Sequence, residues 1–114
     1  MSKYRAKACQ IEGIRFHSQR EGRRYLELRQ LEKAGEIVHL ELQPEFRLYA
    51  ACELPIVEGR DPLKLGVYRG DFRYVDARNG EVVVEDVKGF KTPLYRWKKK
   101  HVEAQFGIEI REVR

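Results

Sequence analysis

Cysteine is scarce in this sequence: Cys9 and Cys52 are the only two among 114 residues. No CxxC pair and no Cys/His cluster occurs, which argues against a zinc site. Two isolated cysteines point to reduced thiols of a cytosolic protein rather than to a disulfide. The three histidines, His17, His39 and His101, are far apart in sequence. Long apolar runs are also missing. Met1-Ser2-Lys3-Tyr4-Arg5 has no hydrophobic stretch, so no signal peptide is expected, and nothing approaches membrane-spanning length. The expected location is the cytoplasm, with no membrane partner. Repeats, linkers and low-complexity segments are lacking too, so residues 1–114 read as one domain. Hydrophobic residues at 42% and aromatics at 11% are enough for one core between two layers. Charged residues make up 36%, with a formal net charge of +5, and a basic balance favours a polyanionic partner such as nucleic acid.

Local signals give a coarse order of elements. Residues 1–16 are basic and alternate weakly, with Ile14-Arg15-Phe16 a short edge strand or a loop. Ser18 is placed as a helix N-cap, with Glu21 three residues on as in a capping box. Tyr25, Leu28 and Leu31 keep helical spacing, Leu26 flanks them, and Gly35 ends the helix. Ile37 to Gln43 alternates as a strand that Pro44 stops, and Phe46 to Ala50 is a second strand. Pro55, Gly59, Pro62 and Gly66 mark residues 53–66 as a loop. Val67–Val75 and Glu81–Lys88 form a hairpin about Asn79-Gly80. Thr92 caps a second helix with Pro93 at its first position, Gly107 closes it, and Ile108–Val113 ends as a strand. The expectation is an α/β, α+β-like fold: one mixed central sheet flanked by helices.

The hairpin carries the chemistry. With Asn79-Gly80 as a two-residue turn, Arg78 faces Glu81, Val75 faces Val84, Arg73 faces Asp86 and Asp71 faces Lys88. Residues opposite each other, or two apart on one strand, share a face. Asp71, Asp86 and Lys88 then project from one side with Val75, Val82 and Val84. Phe72, Tyr74, Val83, Glu85 and Val87 project from the other. This parity selects Asp86 over Glu85 as the partner of Asp71, and a slip of one residue would reverse the choice. Buried carboxylates need compensation. A divalent metal supplies it, and a metal with a lysine beside two carboxylates is equipment for phosphodiester cleavage. The plainer alternative is a cross-strand Asp71–Lys88 salt bridge.

Other residues divide in the same way. Glu21 is either a third carboxylate aimed at the metal or a capping-box residue beside Ser18. Gln43, at a strand end before Pro44, either orients a water or a phosphate oxygen or is an ordinary polar residue. On the second helix, Leu94, Trp97, His101 and Ala104 are read as the apolar stripe, with Trp97 and His101 assigned to the core. Lys91, Arg96, Lys98 and Lys99 are candidate phosphate contacts, against the alternative of a solvated helix face. Lys3, Arg5 and Lys7 are either a backbone-gripping arm or a solubilising tail. Arg20, Arg23 and Arg24 raise the positive potential around Glu21.

Asp71, followed on the next strand by Asp86-Val87-Lys88, resembles the signature of the PD-(D/E)XK nuclease superfamily, and helical Glu21 fits the additional acid of many members. Ser18–Tyr25, Glu41-Leu42-Gln43-Pro44, Tyr68–Phe72, Val84–Gly89 and Lys91-Thr92-Pro93 together resemble a family of small phage and prophage proteins assigned to that superfamily, over roughly residues 3–113. The resemblance implies a restriction-endonuclease-like core and Mg²⁺-dependent DNA cleavage, with Mn²⁺ as an alternative ion. It assigns Asp71, Asp86 and Glu21 to the metal and Lys88 to the attacking water, and it matches Gln43 to a Gln-Pro element. Likeness to junction-resolving nucleases implies branched, Holliday-junction-type DNA, a homodimer and, for a phage-encoded chain, the host cytoplasm. This chain has Gly70 where the superfamily name has proline, and aspartate at position 86 where glutamate is commoner.

Overall fold

The computed structural model describes residues 7–50 and 63–114. Within them the chain is a mixed α+β structure of two helices and eight strands in three small sheets. The order is β1 (Cys9–Ile11), β2 (Ile14–Phe16), α1 (Gln19–Lys33), β3 (Ile37–Leu42), β4 (Glu45–Ala50), β5 (Leu63–Arg69), β6 (Phe72–Asp76), β7 (Val82–Val87), α2 (Pro93–Phe106) and β8 (Ile110–Val113). The largest sheet has the order β3-β6-β7-β8, antiparallel except for the β7–β8 pair. That parallel pair needs a long crossover, which α2 supplies. Among the described residues no helix is long and apolar enough to cross a membrane.

Helix ends form where local chemistry asks for them. The Ser18 hydroxyl accepts the Glu21 N–H at 3.1 Å, and Gly35 follows α1 at φ +77°. Thr92 caps α2 by accepting the Tyr95 N–H at 3.0 Å, and Gly107 ends it in the left-handed region. Both agree with the expected caps. The basic N-terminal stretch differs: β1 and β2 form a hairpin across Glu12-Gly13, both at positive φ, as a type I′ turn requires. Its β1 strand packs against α1 at Gly22, where an added Cβ would lie 2.7 Å from Cys9 Sγ and 2.8 Å from Ile11 Cδ1. Cys9 is a free thiol. Cys52, Lys3, Arg5 and most of the loop expected over 53–66 lie outside the described residues; the end of that stretch, from Leu63, is already β5.

Three strand expectations are corrected. First, Val67–Val75 is not one strand. The chain leaves the β4–β5 ribbon after Arg69 (paired with Glu45) and joins the large sheet at Phe72 (paired with Leu42). Together β3–β4 and β5–β6 make one long ribbon bent at Gln43-Pro44 and Gly70-Asp71. The bend is stitched by the Gln43 N–H to the Asp71 carbonyl (2.9 Å) and the Gly70 N–H to the Pro44 carbonyl (3.0 Å). Second, Asn79-Gly80 is not a two-residue turn. Gly80 alone carries positive φ there, and the Asp76 N–H bonds the Glu81 carbonyl, so Ala77–Gly80 all belong to the loop. The observed pairs are Phe72–Glu85, Arg73–Val84, Tyr74–Val83 and Val75–Val82. The register is therefore two residues from the expected one. Because the side-chain period is two, every side chain keeps its predicted face. Third, the last strand starts at Ile110 rather than Ile108.

Two cores flank the large sheet. On one face α1 and the β1–β2 hairpin bury Phe16, Tyr25, Leu28, Phe72, Tyr74, Val83 and Val87. On the other, α2 and the bent ribbon bury Phe46, Leu48, Tyr68, Val84, Tyr95, Val102 and Ile110. The apolar stripe expected on α2 is corrected here. Tyr95 and Val102 face inward, whereas Leu94 is 62% and Trp97 50% exposed. Trp97 is not a core residue; its ring lies 5.5 Å from that of His101, which is half-buried with Nε2 3.0 Å from the Tyr49 carbonyl of β4. The stems of Lys98 and Lys99 are half-buried on the inward side, a place that a hydrophobic-periodicity argument reserves for apolar residues.

Candidate active site

The bend in the ribbon builds the site. β7 is central, and five of its six residues, Val83 to Val87, are buried. Its neighbouring acids, Glu85 and Asp86, are 0% and 2% exposed and point to opposite layers. Glu85 meets α1: Arg24 donates to both its carboxylate oxygens, Nε to Oε1 and Nη2 to Oε2, each at 2.7 Å, and the Tyr74 hydroxyl also donates to it. The Glu85 bond is the largest cause raising the Arg24 pKa. This carboxylate is fully neutralised within the fold.

Asp86 meets a different environment. Carrying the ladder register past Phe72 brings Asp71 level with Asp86. The Tyr68 hydroxyl, on β5, donates to Asp86 Oδ2 at 2.5 Å, and Lys88 Nζ lies 3.4 Å from Asp86 Oδ1. Lys88 is held from its other side by the Tyr95 ring, 4.5 Å from ammonium to centroid. Asp71 Oδ2 accepts the Val87 N–H at 2.6 Å. Burial, followed by the negative charge of Asp86, pushes the Asp71 carboxyl up to about 8, against the favourable Val87 bond. Burial also raises the Tyr68 and Tyr95 phenols, with Asp86 the next cause for each.

Glu21 approaches from the α1 side. Together with Gln43 and Asp71 it lines a cavity of about 220 Å³ at the open end of β6, walled by Phe16, Leu42 and Phe72. Burial is the main cause raising its pKa; the His17 charge and a hydrogen bond from the His17 backbone oppose this, and Asp86 raises it further. Gln43 is exposed and sits in the left-handed region at φ +51°, a strained conformation for a side chain of its size. Its backbone, through the bond to Asp71, holds the bend. Gly70 is buried there: its N–H is used by Pro44, and an added Cβ would lie 3.2 Å from Val84 Cγ1. A proline at position 70 would lack that N–H.

The cations expected to hold phosphate fare unequally. Lys91 and Lys99 each pair with Glu112 at 3.1 Å, and Lys98 Nζ donates to the Val67 carbonyl at 3.0 Å. Arg96 is exposed and makes no ion pair among the described residues.

A family model described as a protein of unknown function (DUF1064) matches residues 1–113. The chain belongs to that family. No curated protein and no solved structure matches it.

In this DUF1064 member the residues that can engage a cation are Asp71 and Asp86. Among the described residues no group of three His, Cys, Asp or Glu is close enough together to hold a metal ion. Two carboxylates nevertheless fit a small hard cation of the Mg²⁺ class, which keeps waters and substrate phosphate oxygens as its other ligands. The raised Asp71 pKa is the sign of a pair that needs a positive partner, either a proton or a cation. Sequence reasoning gave no role to Tyr68 or Tyr95, and it read Arg24 as raising the potential around Glu21 where the structure pairs it with Glu85. Tyr68 precedes Gly70-Asp71 by two residues in sequence, but it reaches Asp86 only because the chain changes sheets between them.

Proposed function

We propose that this protein is a metal-dependent DNA endonuclease of the PD-(D/E)XK type, acting on branched, Holliday-junction-type DNA in phage DNA metabolism, as a homodimer in the host cytoplasm. One observation carries the reading: a buried carboxylate, Asp86, and a half-buried one, Asp71, are brought together on one face with Lys88 at their side. A mixed sheet with α1 on one face and α2 on the other is compatible with a restriction-endonuclease-like core.

A bound Mg²⁺ or Mn²⁺ supplies a water of lowered pKa and neutralises charge on the scissile phosphate. Asp71 and Asp86 would hold that cation, and Tyr68 fixes the orientation of the Asp86 carboxylate. Lys88, seated between Asp86 and the Tyr95 ring, directs its ammonium at the attacking water and offsets negative charge as it grows. Glu21 and Gln43, which line one cavity with Asp71, would hold waters beside that cation. The test is cleavage of a four-way DNA junction with Mg²⁺ or Mn²⁺. Cleavage that persists unchanged in both Asp71→Ala and Lys88→Ala rejects the assignment.

One observation favours a second reading, a non-catalytic DNA-binding module. Among the described residues the acids do not form a three-donor cluster, and the raised Asp71 carboxyl can be neutralised by a proton instead of a cation. That module binds DNA in a salt-dependent manner and turns nothing over in either metal.

A further inference from the structure

Three of the four cations expected to hold phosphate at α2, Lys91, Lys98 and Lys99, are engaged within the chain. The opposite rim of the site is different. Arg15, on β2, lines the cavity shared by Glu21, Gln43 and Asp71. Arg20 stands one residue before Glu21, and its guanidinium reaches across to Gly89, the neighbour of Lys88. A Cβ on Gly89 would lie 2.5 Å from Arg20 Nη1. Arg23 follows at i+3 on the same helix face, where two like charges repel mildly. All three side chains are exposed, and none makes an ion pair among the described residues. Arg24, their neighbour, is consumed by Glu85 and Glu27.

We infer that Arg15, Arg20 and Arg23 form the phosphate-binding rim that seats a DNA strand over the Asp71–Asp86 face. The inference rests on the nuclease reading for its substrate, and it brings the DNA in across the end of β7, where Arg20 of α1 meets Gly89 beside Lys88. Acidic side chains at the centre repel phosphate, so unneutralised cations must lie beside them for a strand to approach. A guanidinium suits the task because its fork matches phosphate oxygens. The lack of a side chain at Gly89 is what leaves room for Arg20 beside Lys88.

The experiment measures binding of a fluorescein-labelled four-way DNA junction in EDTA over a salt series, so that cleavage plays no part. The Arg20→Ala/Arg23→Ala double variant is expected to weaken binding about tenfold or more at low salt, and to flatten the log K against log salt slope by about 0.9 for each phosphate that is no longer neutralised. Arg20→Lys/Arg23→Lys keeps most of the slope. Gly89→Ala, which displaces the Arg20 guanidinium without changing charge, weakens binding less than the double variant. Unchanged melting of the exposed-site variants controls for folding. Affinity and slope equal to wild type in the arginine double variant, with a loss in Arg96→Ala instead, overturn the inference. Metal-dependent cleavage is scored separately. Arginine-dependent binding with no cleavage in Mg²⁺ or Mn²⁺ supports the rim and rejects only the nuclease. Asp71-dependent cleavage with arginine-independent binding rejects only the rim.

Discussion

Glu85 and Asp86 are consecutive on one buried strand, yet the fold treats them in opposite ways. Glu85 faces α1 and receives a two-pronged arginine and a tyrosine hydroxyl. Asp86 faces the ribbon and α2, where its neighbours are a second carboxyl, a tyrosine and a single lysine. The first arrangement closes a charge balance, and removing either partner would leave a buried charge unpaired. The second leaves negative charge in excess, so it is held at a cost and has capacity for a cation. Buried charges that are fully paired are structural; those that are underpaired mark where chemistry is available.

The comparison breaks most directly at the underpaired side. If the Asp86 face is catalytic, Asp71→Ala and Lys88→Ala each lower metal-dependent cleavage by about a thousandfold or more, equivalent to about 4 kcal/mol of transition-state stabilisation. The Glu85 face answers next, and in stability. Arg24→Ala leaves Glu85 buried without its cation, so unfolding by denaturant is expected to show a loss of about 3 kcal/mol or more. Cleavage per folded molecule should stay near wild type. A loss below about 1 kcal/mol would mean that Glu85 is not a paired structural acid.

Asp71→Asn sharpens the contrast, because it is expected to stabilise where Arg24→Ala destabilises. The native Asp71 carboxyl titrates above its unfolded range, near 8. The folded state therefore keeps a proton that the unfolded chain has released. The associated stability is fully present below about pH 4 and is lost as pH rises through about 8. Without metal, Asp71→Asn should melt above wild type at about pH 8, and the gap should close towards about pH 4. Added Mg²⁺ or Mn²⁺ should raise the wild-type melting temperature at about pH 8 and leave Asp71→Asn nearly unmoved. A pH-independent gap would show that the two carboxyls are not coupled. The smallest effect belongs to Tyr68→Phe, which leaves Asp86 Oδ2 without its donor: about 1–2 kcal/mol of stability is expected to go, read by urea unfolding.

How far the site can be read from sequence depends on which force places each residue. Ser18 with Glu21, and Thr92-Pro93 with Gly107, announce helix ends because capping is satisfied within a few residues of chain. The choice of Asp86 over Glu85 withstands the wrong turn length, since an error of two residues leaves parity intact. The turn itself is illegible because Ala77 and Arg78 have no local property that bars them from a strand; the bonds of Asp76, Gly80 and Glu81 decide it. The inner face of α2 is illegible because Leu94 and Trp97 keep a helical spacing as good as that of Tyr95 and Val102. The sheet against which α2 packs makes the selection. The splitting of one apparent strand at Gly70-Asp71 has a faint signal in Pro44 and Gly70, but only the pairing of four strands makes it a bend.

The sequence by itself determined the helix caps, the alternation that sends Glu85 one way and Asp86 the other, and the supply of carboxylates and a lysine on one face, all of which follow from short-range backbone sterics and a period of two. Only the tertiary structure decided that Arg24 neutralises Glu85, that Tyr68 and Tyr95 brace Asp86 and Lys88, and that Lys91, Lys98 and Lys99 are engaged internally while Arg15, Arg20 and Arg23 make no ion pair among the described residues. Those outcomes depend on which surfaces pack together, and charge compensation is set by neighbours in space rather than by neighbours in the chain.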